Sequence, residues 1–364
     1  MLPEPEAEAL AASALLLERI RAELKAGGNW IAFARYMELA LYAPGLGYYA
    51  GGSAKLGAPG DFATAPEMGA LFARTLARQV AELLRPGEAI LEFGAGSGAL
   101  AETLLAELAP ETYLILETSS ELRARQEARL GARVRWIDRL PERFRGVMLA
   151  NEVADAMPVH AVAWRPGGIM ERGVDDSFSW SERPASGELL AAARRIEVPV
   201  PYESEIGLVG RAWMKLLAQR LERGALLVID YGFPQREYYH SQRTAGTLMC
   251  HYRHRAHGDV FFHPGLQDIT AHVDFTALAQ AAREGGLEVL GYANQAQFLV
   301  NCGITEVLER EDPADAARYA PHAAQAQKLL SPAEMGELFK VLAVGRGVAR
   351  PLLGFARGDR SHTL

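Results

Sequence analysis

Glu92 stands two residues ahead of three glycines set at alternate positions, Gly94, Gly96 and Gly98. Glycines so spaced let the backbone turn tightly and bring its N–H groups against a ligand, because no Cβ intervenes. The residues before the turn, Ala89-Ile90-Leu91, are apolar and bulky, as a strand covered on both faces requires. Those after it, Leu100, Leu104, Leu105 and Leu108, recur on one helical stripe, with Glu102 and Glu107 turned away. Strand, glycine turn and helix together make a cradle for a nucleotide-like ligand. The Glu92 carboxylate then selects by charge, attracting a cation and repelling a pyrophosphate.

Two cofactors compete for such a cradle. The form E-x-G-x-G-x-G is typical of S-adenosylmethionine (SAM) methyltransferases, whose donor carries a cationic methionine end. The dinucleotide form G-x-G-x-x-G/A is also satisfied, by Gly94, Gly96 and Ala99, so the glycines alone leave an NAD-dependent oxidoreductase as the alternative. Glu92 favours SAM. The next apolar run, Tyr113 to Leu116, ends in Glu117, near the spacing of about 20 residues expected for a carboxylate that grips ribose hydroxyls. A third run, Arg133 to Ile137, ends in Asp138, expected near the adenine.

In open α/β sheets ligands lie beyond the carboxyl ends of the strands, so the segment after the fourth strand should face the transferred methyl group. Here it carries Asn151, Glu152 and Asp155. An amide oxygen and a carboxylate suit an amine or guanidinium acceptor, and Asn151 also counts among the expected cofactor contacts. Methyl transfer from a sulfonium needs proximity more than covalent help, and no metal is required. An arginine acceptor stays protonated at neutral pH, so Glu152 or Asp155 is expected to polarise it or take its proton. The run Cys250 to His257 has the look of a metal cluster, yet neither its spacing nor its lone cysteine matches an established site. It reads instead as a substrate-facing loop containing His254.

The composition narrows the class. At 364 residues, with 49% hydrophobic and 23% charged, the chain exceeds one average domain and can bury a large core. A net charge of −7 argues against general nucleic-acid affinity and suits a cationic protein segment as partner. The two cysteines, Cys250 and Cys302, fit a reducing compartment, the acidic start lacks a targeting pattern, and no segment is apolar enough to span a membrane. A cytoplasmic protein is expected, with a homodimer left open.

The elements that must position these residues are expected in five stretches: an N-terminal helical and lid region (1–86), the SAM-binding half of the core (87–158), an accessory β/helical insertion (159–222), the second half of the core with a substrate loop (223–350) and a tail (351–364). Asn29 is the expected cap of a second helix. Tyr48 and Tyr49 sit in a glycine-dense loop, Pro44 to Gly60, of the kind that serves as a lid. Thr64 and Glu67 form a capping-box pattern opening another helix. The runs Leu287 to Tyr292 and Phe339 to Val344 should close the sheet as an antiparallel pair.

The segments Phe33 to Tyr49, Gly60-Asp61-Phe62 with Thr64 and Pro66-Glu67, Glu92 to Gly98, Asn151-Glu152-Val153 with Asp155 to Pro158, Asp230-Tyr231-Gly232, Asp268 to Phe275, and Gln297 to Gly303 together resemble the MidA-like SAM-dependent methyltransferases. That family includes a mitochondrial complex I assembly factor acting as a protein arginine methyltransferase. The resemblance implies an α/β fold with a Rossmann-like, seven-stranded, mostly parallel sheet, an N-terminal helical extension and a β insertion. It implies SAM at Gly94, Gly96, Gly98 and Glu117, and a substrate cleft near Gly60, Asp61 and Asn151-Glu152, with Phe62, Tyr48 and Tyr49 on its loops. Ala154 departs from the leucine or phenylalanine usual before the aspartate, which enlarges a pocket at most. A respiratory-complex subunit or an unrelated protein is the implied substrate, and a non-catalytic SAM-binding assembly factor is the second alternative.

Overall fold

The computed structural model describes residues 2–51, 64–312 and 314–364. The chain divides into two compact units: the first is Met1–Phe62, Asp155–Ala212 and Phe233–Asp274, and the second is Ala63–Ala154, Trp213–Gly232 and Phe275–Leu364.

The second unit is built on one large sheet. Seven of its strands, β1 (Ala89–Phe93), β2 (Thr112–Leu116), β3 (Arg135–Ile137), β4 (Phe144–Asn151), β5 (Leu221–Phe233), β6 (Glu288–Asn294) and β7 (Phe339–Arg346), run in the order β6-β7-β5-β4-β1-β2-β3. Strands β1 to β5 are parallel, and β7 lies antiparallel between β5 and β6. Both faces are covered, which is why β1 and β4 read as apolar runs without alternation: Ile90, Leu91, Phe93, Val147, Met148, Leu149 and Ala150 are all buried. The helices α1 (Ala70–Leu83), α2 (Ala99–Leu108) and α3 (Ser120–Leu130) supply covering stripes, such as Leu71, Phe72, Leu76, Val80 and Leu83 of α1. At the start of the parallel strands the backbones meet without side chains. A Cβ on Gly146 would lie 1.9 Å from the Ala89 carbonyl oxygen, and one on Gly224 would lie 1.8 Å from that of Gly146.

The first unit holds an antiparallel sheet ordered Trp30–Ala32, Gly168–Asp175, His160–Arg165, Tyr202–Ile206, with Trp180–Pro184 also paired to Gly168–Asp175. A smaller sheet joins Arg255–His257, Met249–Tyr252 and Asp268–Thr270. The helices Ala7–Ala26 and Phe33–Tyr42 bury Leu16, Ile20, Leu24, Phe33, Tyr36 and Met37 in its core.

The α/β fold and the antiparallel closing pair agree with the sequence, as do the short strands after residue 159. Three local expectations need correction. Asn29 does not cap the second helix: it has a φ of 58°, its N–H closes back on the Leu24 carbonyl at 2.7 Å, and the strand Trp30–Ala32 follows it. That strand pairs with Gly168–Asp175, so the N-terminal region contributes an edge to the β insertion as well as helices. The Thr64 side chain makes no cap hydrogen bond; Ala65–Met68 is a 3-10 turn and α1 begins only at Ala70, after Gly69. Gly69, with a φ of 148°, interrupts the helix that the pattern predicts.

Candidate functional site

At the end of β1 the backbone passes through Gly94, Gly96 and Gly98 with φ values of 57°, 55° and 82°, left-handed geometry that side-chain-bearing residues adopt only under strain. Gly98 opens α2. The turn is pinned from three sides. The Gly94 N–H donates to the Leu116 carbonyl of β2 at 3.0 Å, and the Gly96 carbonyl accepts from Gln126 Nε2 at 2.9 Å. The Ser97 hydroxyl donates to the Glu67 carboxylate and accepts from Arg129 Nη1 at 2.8 Å. Glu67, which sequence reasoning assigned to capping, is thus a strut of the glycine turn.

The three acids of the first three strands occupy different environments. Glu92 is 3% exposed, and its Oε2 accepts from the Tyr113 hydroxyl at 2.6 Å. Burial pushes its carboxyl up to about 7, against the lowering effect of that hydrogen bond, and the Glu117 charge adds to the rise. Glu117 follows β2, accepting from the Ser119 N–H at 2.9 Å and from Gln126 Nε2 at 3.0 Å; burial raises its pKa, offset in part by these donors. Asp138 is a solvated residue with its side chain 86% exposed, ion-paired to Arg123 at 2.8 Å.

At the end of β4, Asn151 Nδ2 donates to Glu152 Oε1 at 3.2 Å, while Asn151 Oδ1 is buried with no hydrogen-bond partner among the described residues. Acceptors of this kind are left unpaired in folded proteins chiefly where a bound water or a ligand supplies the donor. Glu152 has a φ of 54°, a strained setting for a glutamate, and its N–H donates to the Ile229 carbonyl at 2.9 Å. The strain is held by Asp230, fully buried on β5. Its Oδ2 accepts from the Val153 and Ala154 N–H groups at 3.2 and 2.9 Å, and its Oδ1 accepts from the Tyr231 N–H at 2.9 Å. Asp230 was not among the expected site residues. Its signal was an acid at the end of the apolar run Ala225 to Ile229, which no chain element can bury without partners. Amide oxygen and carboxylate side by side can hold an amine or guanidinium by two directed hydrogen bonds.

The remaining expected residues belong to the first unit. Tyr48 does not stand on a loop surface: it is 1% exposed, edge-on to Tyr49 in the apolar core. The Tyr49 hydroxyl donates to Asp268 Oδ1 at 2.9 Å. Both tyrosines therefore pack and anchor their own unit, since a ring of this size gains more from burial than from exposure on a turn. Asp155 is buried, with its carbonyl accepting from the Ala271 N–H at 3.0 Å. His254 is exposed at the tip of the hairpin Met249–Tyr252 and Arg255–His257. Gly60, Asp61 and Phe62 lie outside the described residues.

Comparison with known proteins sorts these features. Residues 71–293 match a family model described as "Putative S-adenosyl-L-methionine-dependent methyltransferase". Curated relatives include "Protein arginine methyltransferase NDUFAF7, mitochondrial" from Danio rerio, 29% identical over 90% of this chain and 86% of the relative, and its Homo sapiens counterpart, 27% identical over 90% and 83%. Among solved structures, a protein from Burkholderia thailandensis crystallised with S-adenosyl-homocysteine bound is 50% identical, covers 100% of both chains and superposes with a TM-score of 0.95. The matched span takes in the glycine turn, all three acids and the Asn151-Glu152 pair, and it sets the dinucleotide alternative aside. The chain belongs to this family of SAM-dependent methyltransferases.

Proposed function

We propose that this chain transfers the methyl group of SAM to a nitrogen of arginine on a protein substrate. The observation that carries this reading is the Asn151-Glu152 pair, a buried amide oxygen awaiting a donor beside a carboxylate held in a strained backbone. The names of the relatives, which align over 90% of the chain, support the same acceptor. The residues present fit SAM: three glycines in left-handed geometry, a half-buried acid after β2 for the ribose, and a buried acid on β1 of the sign a sulfonium or ammonium seeks.

When bound, SAM supplies an electrophilic methyl group. The chain supplies placement. Glu152 would accept hydrogen bonds from the guanidinium, orient its reacting nitrogen and take the proton that this nitrogen gives up on methylation. Asn151 Oδ1 accepts a further N–H, satisfying an atom otherwise buried alone. Asp230 keeps both residues in register by clamping the turn that follows them. The net charge of −7 suits a cationic acceptor segment, and a respiratory-complex subunit is the first substrate to test, in the cytoplasmic setting expected from the composition.

The test is incubation of the full chain with methyl-labelled SAM and cell extract, followed by mass-spectrometric mapping of the label. Methylarginine on a protein is expected; label confined to small molecules would overturn the proposal. Glu152→Gln should lower turnover about 100- to 10,000-fold while S-adenosyl-homocysteine affinity stays within about twofold.

A further inference from the structure

Gln126 is an odd residue to bury. It lies inside α3, a helix so polar that only Gln126 and Leu130 are buried, and it is 0% exposed. An apolar side chain of similar length would fill the space and need no partners, whereas a buried amide is stabilising only when its donors and acceptors are met. Here they are met by three elements at once. Nε2 donates to the Gly96 carbonyl at 2.9 Å and to Glu117 Oε2 at 3.0 Å, while Oε1 accepts from Trp136 Nε1 of β3 at 2.9 Å. Two acceptors on one side and one indole donor on the other permit a single orientation of the amide.

We infer that Gln126 is a positioning residue for the nucleoside half of the methyl donor, holding the Glu117 carboxylate at the angle that accepts the vicinal ribose hydroxyls and tying it to the glycine turn. The inference rests on Glu117 being the ribose acid. Glu117 is held on one oxygen by the Ser119 N–H and on the other by Gln126, so its plane is set by two separate anchors rather than by the strand end alone. Each oxygen keeps lone-pair capacity for a hydroxyl. Trp136 completes the relay: its indole N–H fixes the amide, the amide fixes the acid, and β1, β2 and β3 are joined at their carboxyl ends by one side chain.

Calorimetry on the full chain with S-adenosyl-homocysteine and its 2′,3′-dideoxy analogue separates the possibilities. Wild type should bind the hydroxylated ligand about tenfold or more tightly than the analogue. Gln126→Met should cost about tenfold or more for S-adenosyl-homocysteine and less than about twofold for the dideoxy analogue, because the group it orients has nothing to grip there. Equal weakening of both ligands, or of neither, overturns the inference. Wild type binding both ligands alike would instead remove Glu117 from the ribose, and the inference with it. Should Gln126→Met fail to fold, Trp136→Phe leaves the amide in place but frees it to rotate; a loss of about threefold confined to the hydroxylated ligand is then expected, and an equal loss for both ligands counts against the role.

Discussion

Each unit buries a carboxylate, and the two are treated in opposite ways. In the first, Glu205 is 3% exposed and surrounded by donors from its own unit: the Thr247 N–H at 2.9 Å, the Thr247 hydroxyl at 2.9 Å and the Tyr238 hydroxyl at 3.3 Å, with the Leu248 N–H adding to them. In the second, Glu92 has the Tyr113 hydroxyl, and on the next strand Asn151 Oδ1 has no partner among the described residues. Glu205 completes a structure. Glu92 and Asn151 keep hydrogen-bonding capacity that the described residues do not fill, and under the proposed function the ligands fill it.

Three substitutions sharpen or break this contrast. The largest effect is expected for Glu205→Gln, which sets an NH2 group among the donors that Thr247, Tyr238 and Leu248 direct at this carboxylate. Two buried donors set against it should cost about 4 kcal/mol of stability, read by denaturant unfolding, with S-adenosyl-homocysteine affinity unchanged in the folded fraction. A neutral result would mean that Glu205 is not the anchor its contacts describe.

Glu92→Gln should do the reverse. Its pKa is raised from 4.5 to about 7 in the folded state, so between these values the folded chain binds more protons than the unfolded one. Stability then falls as pH rises from about 4.5 to about 7 and levels off above, a loss of about 3 kcal/mol at most. Glutamine keeps an acceptor for Tyr113 and carries no charge, so the variant should melt higher than wild type at pH 8, converge with it below about pH 4.5, and bind SAM more weakly. SAM added to wild type should flatten the pH dependence; equal slopes with and without SAM would separate Glu92 from the donor's positive charge. The smallest effect is that of Ser97→Ala, which removes the hydroxyl that links Glu67 to the glycine turn and leaves Arg129 only the Ser97 carbonyl. A loss of about 1 kcal/mol in SAM affinity, roughly fivefold in Kd by calorimetry, is expected.

The cofactor half of the site was legible because its signals are local. Only glycine takes φ near 55° without strain, so Gly94, Gly96 and Gly98 announce the turn, and apolar runs ending in Glu92, Glu117 and Asn151 announce buried strands with polar residues at their ends. Residues joined across the chain were not legible. Gln126 looks like one more polar position of a charged helix, and Glu67 looks like a capping residue until Ser97, thirty residues later, takes it. Tyr48, placed in a glycine-rich stretch, gave no sign of the core that surrounds it. The strand Trp30–Ala32 is three residues long, too short for any period to show.

From the order of its residues alone, this protein was bound to have a parallel sheet, a glycine turn after the first strand and acids at the strand ends, since backbone stereochemistry and hydrophobic period act between near neighbours. Which of those acids is buried and raised, which is solvated, and which glutamine ties two of the strands to the turn were decided only when distant segments packed. Desolvation and hydrogen-bond partnership are properties of the assembled interior.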